Sequence, residues 1–181
     1  MPTTIKTTEL KPSRVDEAPV PAPAGSEPCL DTRELRAWRG LLRAHAALTK
    51  ALDNQLEAGH GLPLMSYEVL MQLADADEHR MRMRDLASSV ILSRSGLTRL
   101  VDRLEADGLL RRESCSDDAR GAFAVLTDTG NEKLRAARAT HLAGVRSMFL
   151  AHFEDAELDS LGDAWERVVP GAASVSGSGC A

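Results

Sequence analysis

Arginines at helical spacing, with hydroxyl residues between them, are the side chains of this sequence best suited to chemistry. Arg94, Ser95, Thr98 and Arg99 recur at three- and four-residue steps and so share one face of a helix. A guanidinium fork pairs bidentately with a guanine edge or a phosphate, which an ammonium cannot do. Arg103, beside Asp102 and Glu105, reads instead as a phosphate or intrahelical partner. From Arg80 to Gly121 there are nine basic and seven acidic residues, a net of +2, whereas the rest of the chain has thirteen against twenty. All nine are Arg, and the four lysines lie elsewhere. The asymmetry has the sign that phosphate binding requires.

Other chemistries find little support. The five histidines form no HxxxH pair, and His141 and His152 would sit about 16 Å apart along a helix, too far to share a metal ion. Neither a metal nor a cofactor is expected. Cys29, Cys115 and Cys180 are too far apart in sequence for a CxxC site or a disulfide framework. A thiol sensor is the alternative they leave, because Arg111 and Arg112 near Cys115 would favour its thiolate, with Cys29 the other candidate. There is no Gly-rich phosphate loop, GxSxG elbow or carboxylate pair, so no enzyme is expected. Six aromatics are too few for a single-strand stacking platform. No apolar run of about 18 residues and no signal-peptide core occur, which points to an intracellular, cytoplasmic protein without a membrane span.

The elements that must position the arginines follow from apolar periodicity. Six of eight prolines fall in the first 28 residues, so residues 1–30 read as a disordered tail, and the Gly/Ser/Ala-rich 170–181 as a flexible one. Residues 31–169 form the folded domain. Leu35, Trp38, Leu41, Leu42, His45, Leu48, Leu52 and Leu56 predict a long amphipathic helix over about 32–58, roughly 40 Å and longer than a small core needs. A second helix is expected after Ser66 as N-cap, then an acidic loop from Asp75 and a very short strand at Met81–Met83. A short helix carries Leu86, Ala87 and Val90, with a turn at Ile91-Leu-Ser93. A longer helix over 94–107 buries Leu97, Leu100, Val101 and Leu104 and ends at Gly108. Leu109–Glu113 and Ala122–Leu126 read as two strands joined by a polar arm, Ser114–Gly121. Thr127 caps a helix, and a last one runs from about Asp155 to Val169, ended by Pro170. The class is mainly α with a small β-hairpin, and the order short helix, turn, longer helix, hairpin is a helix-turn-helix with a wing.

Leu86-Ala-Ser-Ser-Val-Ile-Leu-Ser-Arg-Ser-Gly-Leu-Thr-Arg-Leu-Val-Asp-Arg-Leu-Glu-Ala-Asp-Gly-Leu-Leu-Arg-Arg, followed by Asp118-Ala-Arg-Gly121 and Leu126-Thr-Asp-Thr-Gly130, resembles the multiple-antibiotic-resistance regulator (MarR) family. The resemblance implies a homodimeric winged-helix transcriptional regulator, with a DNA-binding lobe at about 66–127 and dimerisation helices at about 32–58 and 128–169. Arg94, Ser95, Thr98 and Arg99 would read base edges of a pseudo-palindromic operator in double-stranded DNA. Arg120 would enter the adjacent minor groove, supported by Asp118 and Gly121. The resemblance also implies a repressor released by a small phenol or aromatic acid, for which Trp38, His45 and Tyr67 are the candidate contacts. Redox sensing through Cys115 or Cys29, and a non-DNA interaction module, are the alternatives.

Overall fold

The computed structural model describes residues 29–90, 94–115 and 118–171. Both expected tails lie outside them except for Cys29, Leu30, Pro170 and Gly171, and so does the Ile91-Leu-Ser93 turn. By contacts the chain divides into two units, Met1–Gly40 and Leu41–Ala181. Helix α1 (Thr32–His60) runs through the division. In the first unit, Asp31 and Glu34 cap α1 reciprocally: each backbone N–H donates to the other's carboxylate, at 2.7 and 2.8 Å.

In the second unit α1 ends at Gly61, whose φ of +58° suits glycine. Helix α2 (Leu64–Asp75) follows almost at once. It begins two residues before Ser66, because Pro63 is its N-cap and the Leu64 N–H donates to Asp53 Oδ1 of α1 at 2.8 Å. Ser66 is therefore a buried residue of the first turn and not the cap. The acidic stretch is partly helical: α2 takes Asp75, and Asp77–His79 forms a 3₁₀ turn with Glu78 and His79 at φ +54°.

Strand β1 (Arg80–Arg82) leads into α3 (Met83–Ser89) and α4 (Arg94–Ala106). A Schellman end closes α4: Leu109 N–H donates to Leu104 O at 2.9 Å and Gly108 N–H to Glu105 O at 3.0 Å, with Gly108 at φ +71°. Strands β2 (Leu110–Cys115) and β3 (Asp118–Leu126) are longer than expected. Beyond the expected Glu113 the ladder takes in Ser114 and Cys115, and β3 already begins at Asp118, since backbone pairing is indifferent to side-chain polarity. The register runs regularly from Leu110↔Leu126 to Ser114↔Ala122 and breaks before Cys115↔Asp118. With β1 on the other side of β3, the sheet is three-stranded and antiparallel, in the order β1-β3-β2.

Helix α5 (Asp128–Met148), a 3₁₀ turn at Leu150–His152 and α6 (Asp155–Val168) complete the chain. Thr127 caps α5 as expected, accepting from Gly130 N–H at 3.0 Å and donating its hydroxyl to Gly108 O at 2.7 Å. The core gathers Leu56, Leu70, Leu73, Leu86, Leu97, Val101, Leu104 and Leu110, all essentially without exposure. Each such side chain contributes roughly 1.5–3 kcal/mol, so the stripe Leu97, Leu100, Val101 and Leu104 suffices to hold α4 down. Leu41, Leu42, Leu150, Val168 and Val169 of this unit remain exposed, as do Leu30 and Trp38 of the first.

Candidate nucleic-acid interface

The sequence of α4 dictates two faces. Its apolar stripe is buried, and Ser95, Thr98, Arg99, Asp102 and Arg103 lie on the exposed side. Arg94 opens the helix. The backbone places Asp118, Arg120 and Gly121 in the first residues of β3, where Asp118 pairs with Cys115 and the register shifts before it becomes regular at Ala122. The expected helix face and hairpin therefore belong to consecutive elements joined through β2.

The basic residues differ in what they hold. Arg111 Nη2 pairs with Glu113 Oε1 at 2.5 Å, Arg80 with Glu78 at 2.5 Å and Arg84 with Asp85 at 3.3 Å. The Arg80 and Arg82 guanidinium groups also stand 5.1 and 5.2 Å from the Phe123 ring centre, within cation–π range. Among the described residues Arg99 and Arg103 have no carboxylate partner. They line a shallow depression of about 220 Å³ with Met65, Gly96 and Leu100. Two exposed, uncompensated guanidinium groups one turn apart are suited to an extended polyanion.

In the sequence Arg112 figures in the basic charge and as a neighbour of Cys115, and its place in the fold is different. From β2 it reaches Asp102 Oδ1 at 2.6 Å and Glu105 Oε2 at 2.5 Å, both on α4. Burial works against its charge, but the hydrogen bonds it donates to Asp102 and Glu105 and their negative charges outweigh this and hold its pKa above the ordinary arginine value. Of the two roles open to Arg103, phosphate or intrahelical partner, the second finds no support in these carboxylates, since Arg112 occupies both. No local spacing signalled this, because the partners lie seven and ten residues away across a helix end.

The three residues expected to meet a small molecule have different surroundings. Tyr67 is buried and stacked on His141, ring centres 4.5 Å apart. His45 and Trp38 are exposed on α1. Glu68, next to Tyr67, has its carboxyl pushed up by burial, an effect that the nearby His45 opposes. Cys29 is exposed and Cys115 ends β2. Among the described residues no group of three or more His, Cys, Asp or Glu side chains could hold a metal ion, and no helix is long and apolar enough to cross a membrane.

His141 Nδ1 is buried without a hydrogen-bond partner, and burial pushes the imidazole pKa below its ordinary 6.5. The folded chain thus resists a proton that the unfolded chain accepts. Stability is unaffected above about pH 6.5 and falls as the pH drops from there through the lower folded value. His141→Phe keeps a ring on Tyr67 and removes the titration. Urea midpoints measured across this acid limb should fall less steeply for the variant than for wild type, and equal slopes would refute the assignment.

The family model described as MarR family matches residues 60–121. The HTH-type transcriptional repressor YetL of Bacillus subtilis (strain 168) is 30% identical over 128 residues, covering 67% of this chain and 76% of YetL. The structure of Sco3205, a MarR family transcriptional regulator from Streptomyces coelicolor in complex with DNA, aligns with a TM-score of 0.76 at 36% identity, over 81% of this chain and 91% of Sco3205. AbsC, a MarR family transcriptional regulator from the same organism, aligns at 0.74 and 37%, over 78% of this chain and 95% of AbsC. The chain belongs to the MarR family of transcriptional regulators. It is a winged-helix regulator and not an enzyme.

Proposed function

We propose that the protein is a cytoplasmic homodimer that binds an inverted-repeat operator in double-stranded DNA as a repressor. Helix α4 enters the major groove, with Arg94, Ser95, Thr98 and Arg99 at the base edges, and the hairpin brings Arg120 to the adjacent minor groove, backed by Asp118 and Gly121. The observation that carries this reading is the exposed face of α4, where Arg99 and Arg103 have no carboxylate partner among the described residues while Arg80, Arg84, Arg111 and Arg112 are paired. Sco3205, in complex with DNA, supports it as a relative, and YetL supports repression.

Residues 31–169 act in this reading as one functional domain, with the lobe 66–127 on DNA and the helices at 32–58 and 128–169 joining two copies. The exposed apolar residues favour dimerisation: Trp38 on the first stretch of α1, Leu41 and Leu42 further along it, and Val168 at the end of α6. Release by a small aromatic acid or phenol is the accompanying proposal. Of its three candidate contacts, Tyr67 has the most suitable surroundings, since the orphan Nδ1 of His141 beside it offers a polar group to an aromatic ligand.

Selection from a random-sequence duplex pool, with light scattering of the same preparation, tests the reading. It predicts twice the 19.5 kDa chain mass and an enriched inverted repeat with half-sites about 10 bp apart or a multiple of one turn. A monomer, or enrichment of a single asymmetric site, would contradict it.

A further inference from the structure

We propose that Arg112, which lies off the DNA-facing side of α4, is the positioning residue that sets how α4 meets the groove and thereby sets sequence choice. The inference rests on the DNA-reading function proposed above and names a residue that acts through another element.

The geometry is that of a fork holding two points on one helix. Nη2 of Arg112 donates to Asp102 Oδ1 at 2.6 Å and Nη1 to Glu105 Oε2 at 2.5 Å, while the Arg112 backbone N–H donates to Glu105 Oε1 at 2.7 Å. Nη2 also reaches Thr98 O, one turn earlier on α4, at 3.5 Å. Three residues over two turns of α4 are thus tied to one residue of β2, and a planar guanidinium constrains direction as well as distance. Because β2 pairs with β3 from Leu110↔Leu126 to Ser114↔Ala122, the same fork links the helix to the hairpin strand that carries Arg120.

Stability does not require this arrangement. The buried apolar stripe of α4 holds the helix down, whereas partly exposed ion pairs contribute little to stability. An apolar stripe permits small rotations of a helix about its own axis; a fork bonded to two carboxylates and a carbonyl resists them. Base readout is sensitive to such rotations, because a bidentate bond to a base edge fails when the side chain arrives out of plane. The fork also neutralises Asp102 and Glu105, which would otherwise stand near phosphate on the same helix as Arg99 and Arg103.

The experiment compares the full-length wild type with Arg112→Lys, Arg112→Gln and Asp102→Ala on the duplex that wild type enriches from a random pool and on a scrambled duplex of equal composition. The readout is the ratio of the two affinities, with thermal midpoints measured alongside. Arg112→Lys keeps the net charge and loses the fork, so the ratio should fall about tenfold, with affinity for scrambled DNA nearly unchanged. Arg112→Gln should lose a similar factor. Asp102→Ala removes a carboxylate from the DNA-facing helix, which on charge alone would strengthen binding to every duplex; the ratio should nevertheless fall about threefold.

Asp102 is well exposed, so this last variant keeps the test informative even if the Arg112 variants fold poorly. Ratios equal to wild type in all folded variants would overturn the proposal. So would an Arg112→Gln effect equal on both duplexes with a shallower salt dependence, the mark of a direct phosphate contact. A wild type that enriches no sequence would refute DNA reading itself, and this inference with it.

Discussion

Gly130→Ala is expected to lower the stability of the fold by about 3 kcal/mol, the upper end for overpacking. A Cβ at this position would stand 1.9 Å from the carbonyl oxygen of Leu109 and 2.9 Å from both its carbonyl carbon and Leu126 Cδ1. The close neighbour is backbone, at the end of α4 and the start of β2, and it cannot swing aside as a long side chain could. The same Leu109 carbonyl accepts from Thr127 N–H at 3.2 Å, so moving it breaks a bond of the α5 cap. Gly130 thus allows the first turn of α5 to lie against the α4–β2 junction. Gly59→Ala provides the contrast: nothing lies within 4 Å of the added Cβ in the last turn of α1. That variant should be neutral or more stable by up to about 1 kcal/mol. Urea unfolding of both variants checks the pair, and equal midpoints would show that α5 does not approach the junction as described.

Arg99→Ala is expected to cost about 1–3 kcal/mol of binding to the enriched duplex and to relax preference at one base position per half-site. Arg99 is exposed and has no carboxylate partner among the described residues, so its loss should leave the fold intact and appear almost wholly in recognition. Arg120→Ala should behave differently. An arginine in the minor groove responds to groove width and negative potential more than to base identity, so its loss should weaken binding to all duplexes and make the salt dependence shallower. The two variants separate helix reading from hairpin anchoring within one assay.

Much of this architecture was legible in the sequence, for identifiable reasons. Leu97, Leu100, Val101 and Leu104 repeat at helical spacing and are buried as that spacing requires. Gly108 and Thr127 mark boundaries because a positive φ and an N-cap are local demands. The start of α2 was misjudged because its first N–H is satisfied by Asp53, eleven residues earlier on another helix. The strands were judged too short because the polar residues at their ends look like loop, although Ser114 pairs with Ala122 and Cys115 with Asp118. The stacking of Tyr67 on His141 was not legible, because it depends on the approach of α5 to α2. The Arg112 fork was invisible for the same reason, since nine like residues in a basic stretch give no sign of which one turns inward to a carboxylate.

The central claim, that α4 reads DNA while the hairpin anchors it, is tested most directly by affinity against salt concentration. Wild type, Arg99→Ala and Arg120→Ala would be titrated on the enriched duplex and on its scrambled counterpart. The account predicts that Arg99→Ala loses affinity mainly on the enriched duplex, while Arg120→Ala loses it on both and reduces the salt slope by about one. Wild-type behaviour of both variants on both duplexes would contradict it.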